Sequence, residues 1–347
     1  MHIRLKPVRE QIMVITGASS GIGLVTATEA ARRGARVMLA ARNEDDLAKA
    51  VRRIRADGGR AAHHVTDVAS ERDVRALAAA AMREFGRIDT WVNNAAVALY
   101  GRLTEISIDD MRRQFDVNYW GQVYGSLAAV RHLRKQGGAI INVASALADR
   151  AIPLQGTYGA AKHALKAFSD TLRMELEESG LPIAVTLVKP GSIDTPFFQK
   201  ARTYLGVEPR GIPPLLAPEA VARAILRCAE YPRRDVIVGG FGKVISLTRI
   251  APRLTDRYME RKTFQSQKTN VPIPRRGRAD NLYEPVEDDG GERGARTRGR
   301  VRRRSVYTSA ALHPRRAVLV AAAAGVALAA GLRGLRRGIP ELEDEES

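Results

Sequence analysis

Cysteine is nearly absent from this chain of 347 residues, where Cys228 stands alone. A single cysteine excludes an intramolecular disulfide and a cysteine-built zinc site, and it reads as a small buried side chain. Aromatic residues make up only 5%. They do not interleave with basic residues, so a stacking platform for nucleic acid is missing and no nucleic-acid partner is expected. The segment Met1 to Pro7 carries charge and no long apolar run. It is not a secretory signal, and a cytoplasmic location is expected. Acidic side chains are outnumbered, 38 against 56 basic ones, for a formal net charge of +18. That surplus is spread along the whole chain rather than gathered into one nucleic-acid-binding stripe.

With 45% hydrophobic residues the chain has ample material for a core. From residue 11 to about 250, apolar strand-like runs alternate with helical patterns. The runs begin at Ile12, Arg36, Ala61, Thr90, Ala139, Ile183 and Asp235. Wholly apolar strands alternating with helices predict an α/β fold: a single doubly wound, Rossmann-type parallel sheet with helices on both faces. Residues 1–250 are therefore read as one domain, with long helices over 108–136 and 158–179. Residues 251–316, rich in Arg, Gly, Pro and Asp, are expected to form a basic, mostly disordered linker. Residues 317–338 read as an apolar, Ala-rich helix, and 339–347 as an acidic end. The uncharged run 317–332 spans about 24 Å as a helix, short of a hydrocarbon core of ~30 Å. Its flanking arginines suit a membrane anchor, and its small residues equally suit a soluble docking helix.

The first strand ends in Thr16-Gly17-Ala18-Ser19-Ser20-Gly21-Ile22-Gly23 and opens directly into a helix. Glycines at 17, 21 and 23 let the backbone turn tightly and approach a pyrophosphate, which the free helix amides would meet. In this strand–turn–helix setting the motif predicts dinucleotide binding by Gly17, Ser19, Ser20, Gly21, Ile22 and Gly23. The second strand ends in Ala41-Arg42, with no acid for the ribose hydroxyls. A guanidinium at Arg42 suits a 2′-phosphate and points to NADP(H).

Tyr158 and Lys162 stand four residues apart and would share one helix face. A phenol titrates near pH ~10, too high for an efficient acid or base at neutrality. A neighbouring ammonium is expected to lower that value. Ser145, just after an apolar strand, could polarise a carbonyl oxygen, although a serine there also serves as a helix cap. His63 and His64 lack spaced ligand partners, and His163 points about 100° away from Lys162 along its helix, so no metal site is expected.

These motifs, in this order, resemble the short-chain dehydrogenase/reductase family over roughly residues 8–250. The resemblance implies that Asp67-Val68 contacts the adenine end and that Asn94, in Asn93-Asn94-Ala95-Ala96, belongs to the coenzyme site. Ala96 departs from the family's usual glycine. By the same resemblance Asn118, Ser145, Tyr158 and Lys162 form the catalytic set, with Asn118 holding a water in a proton relay and Lys162 contacting the nicotinamide ribose. Pro190, Gly191, Ile193 and Thr195 look like the segment that closes over the nicotinamide. A homodimer or tetramer through the helices over 108–136 and 158–179 is also implied. The loops around residues 97–100, 146–154 and 197–205 are apolar, which predicts a lipophilic ketone or secondary alcohol as substrate. The alternatives are a catalytically silent nucleotide-binding scaffold and a membrane-tethered adaptor.

Overall fold

The computed structural model describes residues 3–239, 251–274, 278–287, 290–294, 301–303 and 305–312. Seven parallel strands form one sheet, in the spatial order Arg60–Val65, Arg36–Ala41, Ile12–Thr16, Thr90–Asn93, Gly138–Val143, Ile183–Pro190 and Asp235–Val238. The order reverses between the first and fourth of these in the chain. This switch point is where open α/β sheets bind ligands beyond the strand ends.

Burial explains the strand composition. Ile12–Thr16 and Ile183–Pro190 are buried along their whole lengths. Successive side chains leave on opposite faces: Met13 and Ile15 join one core cluster, while Val14 joins the other. The helices Gly21–Arg32, Glu44–Ala56 and Pro218–Glu230 cover the first face. The helices Glu71–Phe85, Gly121–Leu133 and Gly156–Glu178 cover the second. Local signals set their ends. The side chains of Asn43, Ser70 and Ser107 accept from the backbone N–H groups of Asp46, Asp73 and Asp110. Gly86 closes Glu71–Phe85 in the left-handed conformation at φ 82°.

Two expectations need correction. The long helix over 108–136 is interrupted: Ile108–Phe115 and Gly121–Leu133 are separated by a π-turn, Asp116–Trp120, which contains Asn118. Such a bulge inserts an extra residue into the helical ladder and characteristically marks a functional position.

The second correction concerns the linker. Its described parts are ordered against the sheet domain. Pro252–Ser266 is a helix with Met259 buried, and Lys268–Pro272 pairs antiparallel with Val207–Pro209. Leu282 is fully buried in the core cluster of the second face. Val306–Leu312 lies beside the edge strand Asp235–Val238, and Thr308 Oγ1 there takes the Gly239 N–H at 3.1 Å. Average composition hides this, because a few apolar anchors suffice when arginines satisfy backbone carbonyls. Arg278 alone donates to the carbonyls of Gln199 and Ala201 and pairs with Glu208 at 2.6 Å. Among the described residues no helix is long and apolar enough to cross a membrane. The apolar run 317–332 and the acidic end lie outside the described residues.

Candidate active site

A cavity of about 780 Å³ opens at the carboxyl ends of the strands. Every predicted site residue lines it except Gly23 and Asn118. Those two act from behind the wall.

Gly17 and Gly21 adopt φ of 65° and 54°, which only glycine takes at low cost. A Cβ at Gly17 would stand 2.7 Å from Ala95 Cα, and one at Gly23 would stand 2.1 Å from the Gly17 carbonyl oxygen. Asn94, just past the strand Thr90–Asn93, locks this turn, its Nδ2 donating to the carbonyls of Thr16 (2.9 Å) and Gly17 (3.2 Å). Thr16 Oγ1 accepts in turn from the N–H groups of Asn94 and Ala95. The close-packed cradle and the helix amides behind it fit the pyrophosphate of a nicotinamide dinucleotide. Thr195 packs against Gly21, and the N–H of Gly191 donates to Val238 at the sheet edge. Ile193 bridges to Leu216.

Asp67 accepts the Ala69 N–H at 3.0 Å and pairs with Arg113 at 2.6 Å, which leaves the carboxylate fixed at the cavity wall. Val68 packs against the helix carrying Gly121. Arg42 reaches the end of the second strand and donates to the backbone carbonyls of Asn281 and Tyr283.

At the other end of the cavity Ser145 caps a short 3-10 turn, and its Oγ accepts the Leu147 N–H at 3.1 Å. Tyr158 is buried, its ring edge-on to Phe197 with centroids 5.9 Å apart. Burial pushes the Tyr158 phenol up to about 12, and the hydrogen bond with Ser145 only partly offsets this. Lys162 is also buried, donates to the Val143 carbonyl at 3.0 Å, and lies 5.6 Å from the Tyr158 ring centroid. Burial pushes its ammonium down to about 7. The expectation that Lys162 depresses the Tyr158 pKa is therefore corrected. Both groups share one dry volume, so desolvation drives each toward its neutral form, and the lowering influence on the phenol comes from Ser145.

Asn118 has both side-chain polar atoms engaged with one residue: Oδ1 accepts the Val97 N–H at 2.8 Å, and Nδ2 donates to the Val97 carbonyl at 2.9 Å. The side chain pins the wall of the cavity and does not face its interior. The π-turn puts it there.

Several site residues carry no sequence signal. Lys200 is buried, lines the cavity and donates to Ser20 Oγ at 2.9 Å, tying the loop after Phe198 to the glycine turn. Tyr258, Met259 and Thr263 reach the cavity from the helix Pro252–Ser266. Buried Gln155, just ahead of the helix Gly156–Glu178, donates to Gln267 Oε1 at 2.6 Å. Among the described residues no cluster could hold a metal ion.

A family model described as short chain dehydrogenase matches residues 11–205. The Bacillus subtilis (strain 168) protein described as uncharacterized oxidoreductase YxnA is 45% identical over 320 residues, covering 90% of this chain and 88% of its own. The 11-beta-hydroxysteroid dehydrogenase A of Sesamum indicum is 36% identical over 237 residues, 65% of this chain and 67% of its own. Among solved structures, a short chain dehydrogenase/reductase from Burkholderia phymatum in complex with NAD matches with a TM-score of 0.66 at 26% identity, over 73% of this chain and 96% of its own. An alcohol dehydrogenase from the archaeon Thermococcus sibiricus, complexed with 5-hydroxy-NADP, matches with a TM-score of 0.58 at 26% identity, over 65% and 95%.

Proposed function

The chain belongs to the short-chain dehydrogenase/reductase family, and from that premise we propose an NADP(H)-dependent reductase or dehydrogenase of lipophilic ketones and secondary alcohols. The observation that carries the reaction class is the convergence of Ser145, Tyr158 and Lys162 on the cavity that also holds the glycine turn. A nicotinamide dinucleotide held in this cavity would supply or accept the hydride. Every other step belongs to this chain. Gly17, Ser19, Ser20, Gly21 and Ile22 would hold the pyrophosphate, Asp67 and Val68 would flank the adenine end, and Ile193 and Thr195 would meet the carboxamide. Pro190 and Gly191 shape the turn that leads into Ile193 and Thr195. Asn94 and Gly23 are positioning residues, which keep the turn in its tight form.

In the reductive direction Ser145 Oγ donates to the substrate carbonyl oxygen as that oxygen gains negative charge, and the Tyr158 hydroxyl delivers the proton. A phenol held protonated by burial suits a proton donor. Lys162 sits behind it with a pKa near neutrality, poised to pass a proton on. Asn118 acts by fixing Val97, and so by setting the shape of the cavity beside Tyr158.

Preference for NADP(H) rests on Arg42 following Ala41 with no acidic residue at the strand end. Its guanidinium lies at the cavity wall and donates to the Asn281 and Tyr283 carbonyls. The apolar lining, including Leu147, Ile152, Phe197 and Met259, supports a lipophilic substrate. The 11-beta-hydroxysteroid dehydrogenase name of the Sesamum relative agrees with it.

Tyr158→Phe tests the chemistry. NADPH-linked reduction should fall by roughly 10²- to 10⁴-fold while coenzyme binding persists, and a variant with undiminished turnover would falsify the assignment. Arg42→Ala should erase discrimination between NADPH and NADH. An unchanged ratio removes the NADP part of the reading. A panel in which small polar carbonyls outpace every lipophilic one removes the substrate class.

A further inference from the structure

Residues 278–287 and 290–294 run across the coenzyme end of the cavity, where their backbone carbonyls accept from groups on its wall. The N–H of Gly21 donates to the Gly291 carbonyl at 3.0 Å. Asn43 Nδ2 donates to the Val286 carbonyl at 3.0 Å, and Arg42 donates to the carbonyls of Asn281 and Tyr283. Asn281 and Pro285 themselves line the cavity.

The Gly21 contact decides what this segment does. Gly21 opens the helix Gly21–Arg32, and the amides of that first turn are the groups that would meet a pyrophosphate. One N–H makes one well-aligned hydrogen bond. A carbonyl oxygen 3.0 Å from the Gly21 nitrogen fills the position a phosphate oxygen would take.

The segment is held unequally along its length. Its first half is firmly seated. Leu282 is fully buried, its carbonyl accepts Arg113 Nε at 3.1 Å, and Arg202 bridges Asp280 at 2.9 Å. Its second half is held by polar contacts: Arg53 with Glu292 at 2.9 Å, Arg293 with Glu219, and the Gly294 N–H on buried Asp194 at 3.2 Å. An exposed ion pair such as Arg53–Glu292 contributes little and yields easily to a better-charged competitor.

We propose that this C-terminal segment is a self-inhibitory strap: residues 290–294 stand in for the coenzyme pyrophosphate on the glycine turn and must lift away before the coenzyme binds, while residues 278–283 stay anchored. The strap rests on the coenzyme reading given above. Its effect is thermodynamic. The coenzyme's apparent dissociation constant is its intrinsic one divided by the fraction of molecules with the strap raised. Return of the strap to Gly21 then favours coenzyme release after each turnover.

The test uses the full chain and direct coenzyme binding. Arg53→Glu and Glu292→Arg each turn the surface attraction into repulsion on an exposed, non-catalytic pair. Each should tighten NADPH binding by roughly two- to fivefold, measured by calorimetry or NADPH fluorescence. The double variant restores opposite charges and should return binding to that of the unaltered chain. Independently, saturating NADPH should speed tryptic cleavage after Arg293, followed by mass spectrometry, because the lifted strap becomes accessible. Weaker binding in the single variants, unchanged binding, or protection of Arg293 by NADPH overturns the strap; the last outcome makes the segment a clamp over the coenzyme. If neither NADPH nor NADH binds any of the four proteins, the coenzyme reading itself has failed, and the two failures are thereby told apart.

Discussion

The glycine turn and the C-terminal strap face each other across one cavity, yet different physics holds each of them. The turn is fixed by a parallel ladder on both sides: Ile12–Thr16 pairs with Arg36–Ala41 and with Thr90–Asn93, residue by residue. Asn94 and the packing around Gly17 and Gly23 leave it no room to move. The strap has no ladder. Its attachments are separate hydrogen bonds, ion pairs and a buried leucine. Rigidity on one side of a ligand and exchangeable contacts on the other let a site be preorganised for recognition and still open. Functional segments that move are drawn from regions with few buried apolar contacts.

The largest effect that would sharpen this contrast is on the turn. Gly23→Ala puts a methyl 2.1 Å from the Gly17 carbonyl oxygen, a backbone atom that cannot swing aside. It should lower stability by about 3 kcal/mol or more and abolish coenzyme binding, seen by urea unfolding and calorimetry. A fully stable, coenzyme-binding variant would show the turn to be as compliant as the strap.

Asp149 offers the next test, on the sheet side. Burial alone would raise its carboxyl pKa, but the Lys166 and Lys189 ammonium groups beside it (2.5 and 2.8 Å) hold it below the ordinary carboxylate range. A depressed carboxylate pKa stabilises the fold above the unfolded-state value and loses that contribution as pH falls through the folded-state value. Asp149→Asn should cost about 3 kcal/mol near neutrality and flatten the decline of stability on the acid side. Urea midpoints recorded from neutral pH to about pH 3 check both.

For the strap, Leu282→Ala removes the one apolar anchor. Stability should drop by about 2 to 3 kcal/mol, while NADPH binding is retained or tightened. Loss of coenzyme binding together with stability would erase the division between a rigid half and a releasable one. The smallest effect is expected at Tyr100, which is fully buried with its hydroxyl lacking a hydrogen-bond partner. Tyr100→Phe removes an unsatisfied polar atom and should leave the melting temperature unchanged or slightly higher.

Much of the rigid half is legible in the amino-acid order. All seven sheet strands lie where apolar runs predict them, and the five inner ones are the plainest because strands buried on both faces must be apolar throughout. The three glycines of the turn are legible for a steric reason: no other residue tolerates those φ values and that backbone approach. The spacing of Tyr158 and Lys162 is legible because a helix has a fixed period. Their electrostatics are not, since the sign of a pKa shift depends on how dry the volume around them is. The π-turn at Asp116–Trp120 escaped detection because a single inserted residue leaves the apolar pattern on either side intact. Lys200 reaching Ser20, Gln267 reaching Gln155 and the strap itself escaped for another reason. Each is a contact between side chain and distant backbone or side chain, and such contacts have no period. Arginine-rich composition in residues 251–316 suggested disorder, although guanidinium groups are among the ties that seat the described parts of that segment.

Cys228 has a practical consequence. It is wholly buried, and burial pushes its thiol up to about 12, so at neutral pH it keeps its proton and is shielded from reagents. A cysteine introduced at an exposed strap position, such as Glu284→Cys, would therefore be the single site that maleimide dyes or spin labels modify in the folded protein. The native sequence already provides a silent background for distance measurements, and the strap's excursions could be followed by fluorescence or electron paramagnetic resonance without first replacing a native residue.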